Sequence, residues 1–161
     1  MRRPAAVVGS AAFFVLAPGT VAGLVPWTIT RWSLGGTWIT QLAGGVLIVL
    51  GLVPLVSAFV MFVRAGGTPA PVAPTERLVV SGFNRFVRNP MYVGVVAIIL
   101  GQAVLSASVG AVVWAVVVWA ATELFVRTYE EPTLTATFGA GYDAYRRHVR
   151  RWLPRLTPWR G

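Results

Sequence analysis

The uncharged run NPMYVGVVAIILGQAVLSASVGAVVWAVVVWAAT, from Asn89 to Thr122, decides the fold of this chain. As one α-helix, its 34 residues would extend about 51 Å at 1.5 Å per residue. The hydrocarbon core of a bilayer is only about 30 Å thick. Small residues lie near its middle, over 106–110. The run therefore predicts a tight helical hairpin, with short spans at 91–106 and 110–126 that return the chain to its starting side.

Composition indicates a membrane protein. Of the 161 residues, 56% are hydrophobic and 12% charged, whereas charged residues make up about a quarter of a soluble domain. Two more uncharged runs, 4–30 and 32–63, each exceed the roughly 20 residues that a spanning helix needs. We therefore expect an all-α polytopic membrane protein, a single domain over residues 1–161 with four transmembrane helices at about 5–28, 38–62, 91–106 and 110–126.

The start of the first run has a second interpretation. Residues 5–17 resemble the apolar core of a cleavable signal peptide. Apolar residues continue past them to Trp27, however, and no clear cleavage site is followed by a soluble chain. A first span over 5–28 is therefore favoured.

The basic residues, all of them arginine, give a formal net charge of +9. They flank the apolar runs, which favours anionic membrane lipids over nucleic acid as partners. In the four-span topology only Arg31 lies on one side, so the positive-inside rule makes the other side the cytoplasm. Both termini, the connector 64–90 and the tail 127–161 are then cytoplasmic. The chain has no Cys, one His and five acidic residues, which argues against a metal site.

Glycines and prolines mark places of close packing and of interruption in the predicted helices. Gly44, Gly45 and Gly51 in the second span leave room for close helix approach. Three prolines make 66–74 an irregular connector. Pro132 is expected to end the fourth helix and start another, since proline suits a first helical turn. In the tail, Tyr142, Tyr145 and Val149 are spaced to share one helical face.

Two polar motifs border the hairpin. The first is GFNRFVRNPMYVG, from Gly82 to Gly94; the second contains Glu130-Glu131-Pro132, Phe138-Gly139, Tyr142, Tyr145 and Arg151-Trp152-Leu153-Pro154. Together they resemble the pattern of the isoprenylcysteine carboxyl methyltransferase and phospholipid methyltransferase family, in which Arg-His-Pro-x-Tyr-x-Gly is followed by paired glutamates. The resemblance covers about residues 66–154. Asn89 stands at the His position.

The resemblance implies an integral membrane methyltransferase that uses S-adenosylmethionine. Its implied cofactor-binding residues are Arg85, Arg88, Asn89, Pro90, Tyr92, Gly94, Glu130, Glu131, Tyr142, Tyr145, Arg151 and Trp152, with Arg88 and Glu131 also taken as catalytic. The Asn89 departure removes a titratable ring nitrogen, so an acid–base role at that position is in doubt. Lipid-phosphate anchoring by Arg85 and Arg88, and plain packing by Tyr142 and Tyr145, remain the alternatives.

The residue types are consistent with that cofactor. Glu123, Arg127, Glu130 and Glu131 form one stripe at the end of the fourth helix, and an even number of crossings brings this stripe beside Arg88. Carboxylates suit an ammonium and ribose hydroxyls, and guanidinium groups suit a carboxylate. Many zwitterions satisfy the same requirements, so the resemblance alone identifies the cofactor. A simple pair with Arg127 is the alternative for Glu123.

Three functions remain open. The first is methyl transfer to a lipophilic acceptor at the cytoplasmic face. An amine acceptor must lose a proton to a base, and few residues could serve as that base: Glu123, Glu130, Glu131 and His148. This scarcity favours a carboxylate or thiol acceptor over an amine. The second is a non-catalytic four-helix protein that binds anionic lipid or a partner, and the third a membrane reductase with a nicotinamide cofactor. The Ala, Gly, Val and Arg bias suggests a bacterial cytoplasmic membrane. Oligomeric state is not predicted.

Overall fold

Helices make up the regular structure of the chain. The structure, a computed structural model, describes residues 12, 16–64, 78 and 80–160. Within these residues there is no strand, so the all-α prediction is confirmed for them. The elements are α1 over 16–30, α2 over Trp38–Arg64, a 3-10 turn at Gly82–Arg85, α3 over Pro90–Ser106, α4 over Val109–Phe125, α5 over Glu131–Phe138 and α6 over Ala140–His148.

Two stretches of helix are long and apolar enough to cross a bilayer within the described residues. They are Trp38–Met61 and the continuous helical segment Val109–Phe138. Their large apolar side chains point outward: Leu42 and Leu50 are 62% and 61% exposed. Such a surface suits contact with lipid rather than with water. Together these features indicate a membrane protein.

The four-span topology stays a prediction. The helix α3 is apolar but shorter than the two candidate spans. In the predicted first span, residues 5–11 and 13–15 lie outside the described residues, as does the predicted irregular connector 66–74.

Glycines on facing sides let α2 and α3 pack closely. A Cβ atom added to Gly44 would lie 2.6 Å from the Gly101 carbonyl oxygen, and one added to Gly94 would lie 2.5 Å from the Gly51 oxygen. The Gly44–Gly101 and Gly51–Gly94 contacts have the same spacing along the two antiparallel helices, so the two backbones approach closely at two positions. The packing predicted for Gly44 and Gly51 is confirmed. It is wrong for Gly45, where an added Cβ would meet nothing within 4 Å.

A short turn joins α3 to α4 where the small residues predicted it. Ala107 has a left-handed conformation, with φ of 49°, and ends α3. Ser108 then caps α4, because its hydroxyl accepts from the Ala111 amide at 3.2 Å. The two helices form a hairpin that brings the start of α3 and the end of α4 to the same rim of the bundle.

A π turn in α1 ties that helix to the hairpin. Thr20–Leu24 is π-helical and ends two residues before Pro26. Proline has no amide hydrogen to donate, so backbone carbonyl groups in the turn before it lack a helical hydrogen-bond donor. Side chains from the hairpin satisfy two of them: the Trp114 indole donates to the Val21 oxygen at 2.9 Å, and the Gln102 amide to the Ala22 oxygen at 2.6 Å.

A second π turn, Val126–Glu130, ends two residues before Pro132. The chain stays helical through this proline and runs directly from α4 into α5. The predicted break in the helix at Glu131-Pro132 is therefore wrong, whereas the predicted start of a helix there is confirmed, since Pro132 lies in the first turn of α5. The wider turn accommodates the missing donor without breaking the helix.

The tail folds back onto the start of α3. Tyr142, Tyr145 and Val149 are buried together, as their shared face predicted, with Leu78, Leu134 and Trp159 among the side chains packed on them. This small second core anchors the tail beside the loop that precedes α3.

Candidate functional site

The loop before α3 is held by backbone contacts with the tail. It begins with Gly82, whose φ of +54° suits glycine, and ends where Pro90 starts α3. The Arg88 amide donates to the Arg150 carbonyl at 2.9 Å, and the Arg155 amide donates to the Phe86 carbonyl at 2.8 Å. The loop is thereby fixed to residues far along the chain.

Arg88 and Glu131 bring the two sequence motifs into direct contact. The Arg88 Nη1 atom lies 2.9 Å from Glu131 Oε1. Arg151 reaches the same carboxylate with two parallel bonds, from Nε to Oε1 and from Nη2 to Oε2, both 2.8 Å long. Such a bidentate pair is directional as well as charged. Glu131 is therefore shared by two guanidinium groups.

Glu123 extends this cluster on its other side. Its Oε1 accepts from Arg151 Nη1 at 3.0 Å and also contacts Arg127, while its Oε2 accepts from the Trp152 indole. The simple Glu123–Arg127 pair considered from the sequence is present, but the carboxylate also fastens two residues of the tail. Arg151 thus bridges Glu123 and Glu131.

The π turn explains why Glu123 and Glu131 reach one arginine. In a uniform α-helix, Glu131 would be rotated by roughly 80° from Glu123. A π turn takes more residues per turn, so the turn at Val126–Glu130 rotates Glu131 back toward Glu123. The predicted acidic stripe is confirmed, and the π turn brings Glu131 into line with Glu123 along the helix.

Glu130 differs from its neighbour. In the described part of the chain no arginine pairs with it, and its Oε2 accepts from the Tyr92 hydroxyl at 3.2 Å. Two adjacent carboxylates repel each other, and the sequence required at least one to find a cation or donor. Within the described ranges, Glu131 is paired with two arginines and Glu130 with a neutral donor.

Arg88 has donor capacity left over. Its Nη1 also donates to the Tyr142 hydroxyl at 3.2 Å, whereas its buried Nε finds no acceptor among the described residues. Burial, and then the Glu131 carboxylate, raises the pKa of the Tyr142 phenol. Its hydroxyl is therefore neutral near pH 7 and can serve Arg88 as an acceptor.

Aromatic rings cover one side of the charged cluster. Trp152 lies 6.4 Å from Tyr92 and 6.5 Å from Trp119, measured between ring centroids. Aromatic faces attract cations, so this group provides an apolar surface that is compatible with a cationic ligand.

Seven of the residues implied by the resemblance come together in this cluster: Arg88, Tyr92, Glu130, Glu131, Tyr142, Arg151 and Trp152. The others lie around it. Asn89 donates its side-chain amide to the Arg151 carbonyl at 3.3 Å, and Arg85 donates to the Trp159 carbonyl at 2.7 Å. Pro90 starts α3, and Tyr145 donates to the Asn84 carbonyl.

Gly94 faces α2 rather than the cluster, because its close neighbours are Gly51 and Leu55. Sequence reasoning missed Trp119, which is one helical turn before Glu123 on α4. Its spacing of one helical turn from Glu123 was the signal that the sequence offered. Sequence reasoning also missed the contact between Glu123 and the tail, because the sequence offers no local signal for that contact.

A family model for phospholipid methyltransferases matches residues 39–141 of the chain. The match runs from α2 to the start of α6 and includes Arg88, Tyr92, Glu123, Glu130 and Glu131, so it covers more than half of the sequence. Comparison with curated proteins and with solved structures returned no match.

Proposed function

This chain belongs to the phospholipid methyltransferase family, and on that premise we propose that it transfers a methyl group from S-adenosylmethionine to a lipophilic acceptor. Family membership supports methyl transfer to a lipid substrate. The enzyme would be of the isoprenylcysteine carboxyl methyltransferase-like type, as its two motifs suggest. The cofactor, the kind of acceptor and the membrane face are the parts proposed here.

The observation that carries the proposal is the unused polar capacity at the cluster. Among the residues that the structure describes, the Glu130 carboxylate has a phenol as its partner, and a buried N–H group of Arg88 has no acceptor. S-adenosylmethionine carries an ammonium, a carboxylate and ribose hydroxyls. A carboxylate suits the first and last of these, and a guanidinium suits the carboxylate. The residues present therefore fit the cofactor.

Roles follow from how the side chains are already engaged. Glu130 and Tyr92 would hold the ammonium or ribose end, and Arg88 the carboxylate. Glu131 and Arg151 would hold Arg88 and the tail in position, since each makes three charged contacts in the cluster. The rings of Tyr92, Trp119 and Trp152 would lie near the cationic sulfur.

When bound, S-adenosylmethionine supplies an electrophilic methyl group. The chain's own task is to align acceptor and donor and to exclude water. The aromatic group formed by Trp119 and Trp152 would exclude water from the bilayer side, and the docked tail from the other side. Arg85, Asn89, Pro90 and Tyr145 would act indirectly, through the loop that they fix.

The proposed acceptor is a carboxylate or a thiol rather than an amine. An amine or hydroxyl acceptor must lose a proton to a base. Of the four candidate bases, Glu123 and Glu131 are bound to arginines, and His148 lies exposed against Trp159. If Glu130 holds the cofactor, none remains. An acceptor that is already ionised needs no base.

The proposed topology has four spans with both termini in the cytoplasm of a bacterial cell. The Arg88–Glu131 contact supports an even number of crossings between these residues, because it joins the start of α3 to the end of α4. The positive-inside rule supports the cytoplasmic side, since the arginines concentrate at this rim. The polar cofactor would enter from the cytoplasm and the acceptor from the bilayer.

Methyl transfer itself tests the proposal. Purified protein in vesicles is given S-adenosylmethionine with a labelled methyl group and a lipid extract, and labelled lipid is separated and counted. Transfer by the wild type, absent from the heat-treated protein and strongly reduced in Glu130→Gln, is expected. Arg146→Gln, on the exposed face of α6, is the matched control. Binding of anionic lipid without any transfer would favour the non-catalytic alternative.

A further inference from the structure

A cavity of about 370 Å³ lies at the end of the bundle away from Arg88. Ala22 of α1, Ile48 of α2 and Leu105 of α3 contribute to its walls, and the loop after α1 adds Trp32 and Leu34 to the lining. A volume of this size is in the range of small-molecule sites. No residue of the charged cluster takes part in it.

The polar groups around this cavity are already satisfied. Gln102 donates to the Ala22 and Ile98 carbonyls and accepts from the Trp32 indole at 3.0 Å. The Thr30 hydroxyl donates to the Pro26 carbonyl at 2.9 Å. The cavity therefore offers an occupant mainly apolar contact. Leaving such a space empty would deprive its lining of dispersion contacts, so a hydrocarbon chain is the chemically matched occupant.

The wall made by the loop is preformed. The Gly35 amide donates to the Leu105 carbonyl at 2.9 Å, and a Cβ at Gly35 would lie 2.5 Å from the Ser106 oxygen. Trp32 has a left-handed backbone, with φ of 50°, that aims its indole at Gln102. The loop is thus docked on the end of α3 by close contacts on both sides.

An arginine lies between two of the lining residues in the sequence. Arg31 directly follows Thr30 and precedes Trp32, which both line the space. Its guanidinium lies over the Trp27 ring, 4.7 Å from the centroid. Among residues 12, 16–64, 78 and 80–160, no ion pair joins Arg31 to a carboxylate. Its charge is therefore available to a lipid phosphate, with which a guanidinium forms charge-assisted hydrogen bonds.

We propose that this cavity and Arg31 form a binding site for a bilayer phospholipid, with the phosphate beside Arg31 and one acyl chain in the cavity. The site goes beyond the proposed methyl transfer and is separate from it. Between the two ends, the Gly51–Gly94 contact and the buried Leu55, Ile98 and Ile99 fill the bundle. The lipid held here is consequently not the methyl acceptor.

Photolabelling tests this site. The full chain is placed in vesicles of phosphatidylethanolamine and phosphatidylglycerol that contain a trace of phospholipid with a diazirine at the end of one acyl chain. After illumination and digestion, we expect label concentrated at residues 31–36 and 102–106. Leu105→Trp, which fills the cavity, should lower that label about tenfold, and Arg31→Gln should lower it about tenfold through loss of one charge-assisted contact.

Two controls match these variants. Val113→Trp adds the same side chain on the exposed face of α4, and Arg146→Gln removes an exposed arginine from α6; both should label like the wild type. If Leu105→Trp does not fold, Leu34→Trp on the loop replaces it. Label spread evenly over the lipid-facing helices, or unchanged in the filled variants, would overturn the proposal. The assay contains no S-adenosylmethionine, so its result is independent of the proposed function.

Discussion

Arg151 donates two parallel hydrogen bonds to the Glu131 carboxylate, from Nε and from Nη2, each 2.8 Å long. This pair joins the beginning of α5 to the tail. With Arg88 on the same carboxylate, Glu131 has little capacity left for a ligand. The neighbouring Glu130 has no arginine among the described residues, and its partner is Tyr92. The two adjacent glutamates therefore differ in their partners, and we propose that Glu131 organises the protein while Glu130 binds the cofactor.

Glu130→Gln tests the binding half of that division. The substitution removes the negative charge but keeps an acceptor for the Tyr92 hydroxyl. We expect S-adenosylmethionine affinity to weaken by about 1.5–3 kcal/mol, the usual value of a hydrogen bond to a charged group. Isothermal titration measures the affinity, and the melting temperature should stay close to that of the wild type. Unchanged affinity would remove Glu130 from the site.

Glu131→Gln tests the organising half. It leaves the guanidinium groups of Arg88 and Arg151 without their shared carboxylate. We expect a loss of about 2–3 kcal/mol in the free energy of unfolding, somewhat below the cost of breaking a fully buried pair. Denaturant unfolding in detergent measures it, with Asp143→Asn, from the half-exposed pair with Arg146, as a control that should change less. Equal stability of both variants would contradict the organising role.

Gly101→Ala tests the close packing of α2 and α3. An added Cβ would lie 2.7 Å from the Gly44 oxygen, so the helices must separate. We expect destabilisation of about 1–3 kcal/mol, typical of overpacking. Gly45→Ala is the matched control, because an added Cβ there meets nothing within 4 Å, and removing a helical glycine should stabilise by about 0.5–1 kcal/mol. Melting temperatures that move the same way in both variants would argue against the packing account.

Asn89→Ala tests how the tail is held to the loop. Its side-chain amide donates to the Arg151 carbonyl, and losing that bond should cost about 1 kcal/mol. We expect faster amide hydrogen exchange across residues 149–160. Asn89→His introduces the residue of the motif that the sequence resembles and keeps a possible ring donor, so exchange near the wild-type rate is expected there. Identical exchange in all three proteins would show that this bond does not anchor the tail.

Much of the fold and of the cluster could be predicted because each rests on strong requirements. An uncharged run too long for one crossing must turn back, and the small residues at 106–110 marked the turn. An even number of crossings was predicted to bring the paired glutamates beside Arg88, and the structure pairs Arg88 with Glu131.

The remaining features depend on geometry that sequence periodicity does not encode. A π turn and an α turn present the same apolar pattern, so the turn at Val126–Glu130 was missed, and Pro132 was taken as a helix end. Gly94 matched a motif, but its close contact with Gly51 depends on how α2 is placed. The contact of Glu123 with Trp152 joins distant segments. Only three-dimensional packing reveals such contacts.

The most direct test of the central claim is a cryo-EM structure of the protein with S-adenosylhomocysteine, the product left after methyl transfer. We expect ligand density that contacts Glu130, Tyr92 and Arg88 at the rim shared by α3 and α4, with Glu131 still bound to Arg151. Density bound elsewhere, or none at saturating ligand, would contradict it.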